Sequence, residues 1–351
     1  MAEITFDSRY DAVEFLNPMK GFAPERQRLE MRWDPLLRHC SLYNPALEKG
    51  LKTFIGDADR PLLERIAAET AGNCIFCPER IESTARFPET FIAEGRLKAG
   101  EATLFPNILG LAPYHAVIAV SHAHWLPPDG FSPRLLRDAF KTAREYIAAV
   151  FDADAEATHA SVNANYLFPA GASLFHPHFQ VLVSNAPYTH QQALLEACNS
   201  YLDEHGSGYF EDLLVTERRL GERHIGQTGP WNWLASYSPL AANEIMGIHA
   251  GSGDFTDMAE DDLEGLAEGL AGVLRCYAHL NYFAFNFSLY ARRRPDTHDG
   301  FTCLIRLMTR QNPYANYRAD DFFLQKALES ELILTRPERL AEEARAFVGK
   351  G

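Results

Sequence analysis

The spacing of apolar residues changes along this chain, and each change marks an element. Behind Ser132-Pro133, the residues Leu136, Phe140, Tyr146, Ile147 and Val150 recur at helical spacing. A Ser N-cap followed by Pro in the first turn completes the signal, and the pattern predicts a helix over 133–151. Before it, His115-Ala-Val-Ile-Ala-Val-Ser121 is rich in β-branched residues and reads as a strand. After it the period drops to two. Residues 161–168 and 178–184 read as strands joined by the turn Pro169-Ala-Gly-Ala-Ser173. A helix over 189–204 ends at Gly206. The grammar then repeats, with strands over 233–237 and 244–249 and a helix over 257–280 whose apolar face is Leu263, Leu266, Leu270, Val273, Leu274 and Tyr277. Strands over 282–290 and 301–307 follow. Thr335-Arg-Pro-Glu338 is a capping box that opens a last helix to 348. Residues 1–70 are mixed and poorly periodic, which predicts an arm or an irregular first layer. The expected class is α+β, with antiparallel sheets flanked by helices and two tandem halves, 71–205 and 206–351, behind the 1–70 layer.

Composition narrows the function classes. A chain of 351 residues allows about two domains of ordinary size. Lys+Arg 33 against Asp+Glu 47 gives a net charge of −14. That balance argues against a phosphate-backbone footprint and so against a nucleic acid polymer as partner. It leaves room for a single nucleotide, which needs only a few local donors. No run of about 18 apolar residues appears, and the first twenty residues lack a secretory apolar region. No membrane partner is expected, and a cytoplasmic setting is. Six cysteines are too few for a disulfide scaffold, so a close Cys pair points to a metal clip or redox motif.

Two clusters carry chemistry. The first is Gly171-Ala-Ser173-Leu-Phe-His176-Pro-His178-Phe-Gln180-Val181. On a strand, His176, His178 and Gln180 share one face at steps of about 6.5 Å, while Phe179, Val181 and Val183 face a core. The bland reading is a solvated strand face, but a Gly-x-Ser turn ahead of a polar row points to a ligand. The second cluster is Cys74-x2-Cys77. Structural zinc takes four ligands, often two thiolates from one turn and nitrogens from elsewhere. The candidates for the other two are His115, His122, His124 and one of His176 or His178. A nucleophilic imidazole must stay clear of metal, so one histidine of the His-Pro-His pair on metal and the other free divides the labour. Neutral imidazole is a good nucleophile because its pKa is about 6.5.

The string Gly171-x-Ser173-x-x-His176-Pro177-His178-x-Gln180 resembles the active-site signature of galactose-1-phosphate uridylyltransferases, a branch of the histidine-triad (HIT) superfamily. Cys74-x-x-Cys77-Pro78 resembles that family's zinc knuckle, and Phe105-Pro-Asn107 its nucleotide-contact segment. His115 to His124 resembles its metal-site strand. The resemblance implies two HIT-like halves and a nucleotidyltransferase with His178 as nucleophile. Gln180 and Ser173 would hold phosphate oxygens with Asn165 nearby, and Asn107 would touch the nucleotide. Cys74, Cys77, His124 and His176 would bind Zn(2+), with His122 as the reserve for His124. The donor would be a nucleotide-sugar and the acceptor a phosphorylated small molecule, as in UDP-glucose–hexose-1-phosphate uridylyltransferases. A homodimer is also implied. Two rivals stand beside this reading: a dinucleotide phosphorylase or adenylyltransferase-like enzyme, and an idle nucleotide-binding protein. Some relatives carry His-x-His-x-Glu where this chain has Phe301 to Leu307, so no second-half metal site is expected, and Leu47 stands where an arginine is expected. These departures bear on hexose specificity more than on nucleotidyl transfer. Arg292-Arg293-Arg294 reads as a solvated loop rather than a phosphate clamp, and Trp231 and Trp233 as core or interface aromatics, with stacking of one on a base as the alternative.

Overall fold

The computed structural model describes residues 2–50, 56–294, 300–314 and 319–349. Its centre is one ten-stranded antiparallel sheet. The first half supplies β4 (Leu97–Ala99), β5 (Ala102–Pro106), β6 (Tyr114–Ala119), β7 (His159–Tyr166) and β8 (His178–Ser184). The second supplies β9 (His224–Thr228), β10 (Trp231–Ala235), β11 (Ile245–His249), β12 (Phe285–Arg292) and β13 (Leu304–Thr309). Their order is β4-β5-β6-β8-β7-β12-β13-β11-β10-β9, so each half is the other's mirror in connectivity and the halves meet where β7 pairs with β12. The repeat expected from the period switches is therefore present. A long helix separates the third and fourth strands of each half, Pro133–Ala153 in the first and Glu260–His279 in the second. With the other helices among the described residues, α1 (Pro45–Gly50), α2 (Arg60–Ala71), α4 (Thr189–His205), α5 (Tyr209–Leu220), α7 (Phe323–Lys326) and α8 (Pro337–Ala344), these two are α3 and α6. Ser132 caps α3 by accepting from Leu135 N–H.

Both long helices pack on one face of the sheet. The main core joins Phe140, Tyr146 and Ile147 of α3 and Leu266, Leu270 and Leu274 of α6 to Val162, Phe179, Phe287 and Ile305 of the strands. The opposite face differs between halves. In the second half α4 and α5 cover it, with Leu194, Leu213 and Leu214 packed on Met246, Ile248 and Leu304. In the first half the Cys74–Cys77 turn packs on part of it, with Phe76 against Phe105 and Val117, while Asn163, Asn165 and Gln180 stay partly exposed.

Three expectations need correction. The first seventy residues are not irregular, because β1 (Ser8–Asn17) and β2 (Ala23–Trp33) form a hairpin in full antiparallel register. With β3 (Cys40–Tyr43) and β14 (Ser330–Ile333) it makes a second, four-stranded sheet. The arginine run is a solvated loop only at Arg294, which stays exposed, while Arg292 ends β12 and Arg293 is half-buried. Arg293 donates to the carbonyl oxygens of Phe151 and Asp154 at the end of α3, where a cation suits the helix dipole, and Arg294 pairs with Asp257 at 2.7 Å. Residues 295–299 beyond it lie outside the described residues. The strand expected over 282–290 starts at Phe285, because Asn281 turns left-handed (φ 66°) to end α6 and Tyr282 N–H bonds back to Tyr277 O.

Trp231 and Trp233 are fully buried, and their indole N–H groups donate to Asp262 O and Thr228 Oγ1. The α6 helix crosses Trp233 at Gly269, where a Cβ would sit 2.1 Å from the indole ring. Gly269→Ala should therefore destabilise the fold by about 1–3 kcal/mol through overpacking, read as a lower denaturation midpoint. Burial also lowers the His190 pKa from 6.5 to about 4, helped by Arg306. The unfolded chain then binds more protons between those values, so stability rises with pH across that window and is lost as pH falls. Between pH 7 and pH 5 the wild type should lose about 2 kcal/mol more than His190→Gln. Equal losses in the two proteins would contradict this.

Candidate active site

The site sits on the open face of the first half, where the Cys74–Cys77 turn meets the start of β8. Cys74 follows directly on α2, and Cys77 N–H bonds back to Cys74 O at 3.3 Å, so both thiols leave one tight turn. The ligand atoms of Cys74, Cys77, His124 and His176 all lie within 4.8 Å of one another. His124 and His176 present Nδ1 to the Cys77 sulfur at 3.3 and 3.5 Å. Each ring is held from behind. His176 Nε2–H donates to Ser121 O at 2.8 Å, and His124 Nε2–H to Thr70 Oγ1 at 2.9 Å, whose own proton goes to Ile66 O. Outer contacts of this kind fix imidazole tautomers for metal binding, so the quartet fits a metal ion. Its histidines are His176 and His124; His122 is exposed beside the latter, with its backbone N–H on Glu101. Burial, with Cys74 alongside, pushes the Cys77 thiol up to about 12, and burial brings His176 down to about 4. A cation among the four ligand atoms is the group that would let the Cys77 thiol ionise.

His176 lies just ahead of β8 rather than on it, so it turns away from the strand's polar face toward the thiols. Its carbonyl does a second job. His178 Nδ1–H donates to His176 O at 2.8 Å, which leaves His178 Nε2 as the lone-pair nitrogen. His178 is 8% exposed, its ring meets the edge of Phe76, and burial lowers its pKa below the ordinary value. It is a neutral imidazole with a defined tautomer.

The strand register sets the polar floor around it. Gln180 lies two residues on, between Val117 of β6 and Asn163 of β7. Gln180 Oε1 accepts from His115 Nε2 at 2.9 Å, and His115 Nδ1 accepts from Leu111 N–H at 3.0 Å. The oxygen end of Gln180 is thus engaged, and its N–H2 end is the one left to bind. Asn107 flanks His115, bonding through its backbone N–H to His115 O and accepting from Leu109 N–H. Asn165 stands on β7 with its oxygen bonded to Asn286 of β12. Ser173 is exposed on the turn that follows the left-handed Gly171 (φ 88°). Of the nine sequence-identified residues, the structure brings Cys74, Cys77, His124 and His176 into one quartet, sets His178 and Gln180 on β8, links Asn107 to Gln180 through His115, and leaves Asn165 on β7 and Ser173 exposed on the Gly171 turn. Sequence reasoning missed the roles of Thr70 and Ser121 behind the histidines, of Phe76 on His178, and of His115 as the partner of Gln180. Only Phe76 carried a signal, as the apolar residue inside the Cys-x2-Cys turn.

No family model matches this chain. An uncharacterised protein of Archaeoglobus fulgidus is 33% identical over 336 residues, spanning 95% of this chain and 96% of that one. Among solved structures, a galT-like protein from Arabidopsis thaliana superposes with a TM-score of 0.68 at 14% identity, over 91% of this chain and 99% of its own. An ADP-glucose phosphorylase from Arabidopsis thaliana with bound ADP-glucose gives 0.68 at 16% identity, over 90% and 98%. A uridylyltransferase mutant gives 0.64 at 15% identity, over 78% and 93%.

The quartet generates a direct test. Protein purified without added metal should carry about one ion per chain, and Cys77→Ser should lose it and unfold at lower temperature, because metal binding of this kind contributes to folding free energy. Metal analysis and thermal denaturation read both effects. Full retention of metal by Cys74→Ser with Cys77→Ser would remove the assignment.

Proposed function

The chain belongs to one family with the Archaeoglobus protein and has the fold of the galactose-1-phosphate uridylyltransferase-like branch of the HIT superfamily; on that premise, we propose that it is a nucleotidyltransferase acting through His178. The observation that carries this reading is the bond from His178 Nδ1–H to His176 O, which presents Nε2 as the nucleophile. The donor is a nucleoside diphosphate-sugar and the acceptor a phosphorylated small molecule, as in hexose-1-phosphate uridylyltransferases. The ion on Cys74, Cys77, His124 and His176 is zinc, since two thiolates and two imidazoles form a closed structural set. Its part is to hold the turn that aims His178. Two copies of the chain associate in this reading, supported by the exposed Leu16, Met19 and Phe22 at the hairpin tip.

The chain's own groups supply the chemistry. His178 Nε2 attacks the α-phosphorus, the N–P bond forms, and the bond to the sugar phosphate breaks, releasing that phosphate with the bonding electron pair. The ring becomes cationic, and its Nδ1–H stays on the His176 carbonyl. Charge that builds on the α-phosphate oxygens would meet the Gln180 amide, Asn165 and the Ser173 turn as donors. A phosphate oxygen of the acceptor then attacks the same phosphorus, the N–P bond breaks, and neutral His178 is restored. Gln180 cannot take a proton from water, which favours transfer over hydrolysis.

A second acceptor, inorganic phosphate, is supported by the similarity to the ADP-glucose phosphorylase over 98% of that chain. It uses the same intermediate and differs only in the second step. Incubation with UDP-glucose or ADP-glucose should give an acid-labile nucleotidyl adduct on His178, detected by intact mass. His178→Gly should abolish the adduct while keeping the metal. Gln180→His should raise hydrolysis relative to transfer. Discharge by hexose-1-phosphate or by phosphate separates the two acceptors. An adduct on another residue, or none with any nucleotide donor, would overturn the reading.

A further inference from the structure

We infer that Asn286, held by Arg310, is a positioning residue that locks the amide of Asn165 with its N–H2 end toward the Gly171 turn, so that the second half orients a phosphate donor of the first. The inference rests on the proposed nucleotidyl transfer for its consequence but on separate geometry for its content. Asparagine oxygens and nitrogens are told apart by their partners, and here the partners allow only one answer. Asn286 Nδ2 faces the carbonyl oxygens of Ala170 at 2.9 Å and Ala164 at 3.2 Å, groups that only accept. At its other end, Asn286 Oδ1 receives Arg310 Nη1 at 2.9 Å, a group that only donates. The orientation of Asn286 is therefore fixed from both sides.

That orientation passes to its neighbour. Asn286 pairs with Asn165 across β12 and β7, and Asn286 Nδ2 lies 2.8 Å from Asn165 Oδ1. With its oxygen accepting from Asn286, Asn165 must point its nitrogen the other way. The nearest atom to a Cβ built on Gly171 is indeed Asn165 Nδ2, at 3.9 Å. Arg310 is itself clamped by Asp320, with Nε on one oxygen at 2.8 Å and Nη2 on the other at 2.5 Å. The chain Asp320–Arg310–Asn286–Asn165 thus runs from the second half to the rim of the turn that carries Ser173. Pre-oriented donors cost no reorganisation as charge develops on the phosphate, whereas an amide free to flip offers its oxygen half the time.

The test uses Asn286→Asp, which keeps the shape and the Arg310 contact but replaces the donor with an acceptor. Adduct formation on His178 from UDP-glucose and from ADP-glucose should slow at least tenfold while the donor's KM moves less than threefold, as expected for a donor that acts in the transition state. Asn165→Ala sets the scale, and the double variant should be no slower than Asn165→Ala alone, because both changes remove one donor. Additive losses would show a merely structural role and overturn the inference. Should Asn286→Asp fail to fold, Asn286→Ala removes the donor without adding charge and should give the same non-additivity. The side-chain 15N–H2 resonance of Asn165, identified by its loss in Asn165→Ala, gives a readout independent of activity. It should shift in Asn286→Asp, and an unchanged resonance would overturn the inference. A shifted resonance in a protein that forms no adduct would sustain the positioning role and count against the proposed function instead.

Discussion

One backbone carbonyl, that of His176, ties the candidate metal quartet to the candidate nucleophile. The side chain of His176 goes to the thiols of Cys74 and Cys77, while its carbonyl receives the Nδ1–H of His178. The position of that carbonyl depends on where the His176 ring is held, and the ring is held by Ser121 on one side and by the quartet on the other. Whatever fixes the quartet therefore bears on the tautomer of His178 through that carbonyl. This is the physical reason for two histidines separated by one proline. The same backbone unit must serve two rings that face different ways, and proline at 177 limits the conformations it can adopt.

The two halves share a topology and differ in what covers them. In register, Ala119 and Val117 oppose His178 and Gln180 in the first half, as Ile248 and Met246 oppose Leu304 and Arg306 in the second. Leu304 thus takes the place of His178, and Arg306 that of Gln180. The His115–Gln180 hydrogen bond is matched by an ion pair between Glu244 and Arg306 at 2.5 Å, both nearly fully buried. Helices α4 and α5 close over that pair, whereas the first half leaves Gln180 partly open. A buried ion pair offsets its desolvation only if both partners remain, so this face of the second half is committed to structure. What the second half gives the site comes instead from the joining strand, through Asn286.

Periodicity made most of this fold legible, and its failures have physical causes. The long helices and inner strands each bury one side and leave a period in the sequence. The hairpin of β1 and β2 was missed because β1 is exposed on both faces, so nothing enforces alternation. Helix α5 was missed although Tyr209, Phe210, Leu213, Leu214 and Glu217 form a buried stripe at helical spacing, because its twelve residues sit between glycines that read as loop. At the site, residue types in a motif were visible, but their partners were not. Nothing in the sequence pairs His115 with Gln180 or Asn286 with Asn165, since those bonds come from strand order across 65 and 121 residues.

Under the proposed nucleotidyl transfer, the same bonds bear on which acceptor the site would favour. Water attacking a nucleotidyl-histidine needs a base to take its proton. His176 is turned to the thiols, and Gln180 has its oxygen engaged by His115, leaving only donors toward the phosphate. His115 is itself bonded at both nitrogens, to Gln180 and to the Leu111 N–H, and burial lowers its pKa. A phosphate acceptor brings an oxygen that is already anionic and needs no base. A face whose amides offer donors and whose histidines are already engaged by neighbours would, under the proposed transfer, suit phosphate-to-phosphate exchange better than hydrolysis, through hydrogen-bond polarity rather than exclusion of water.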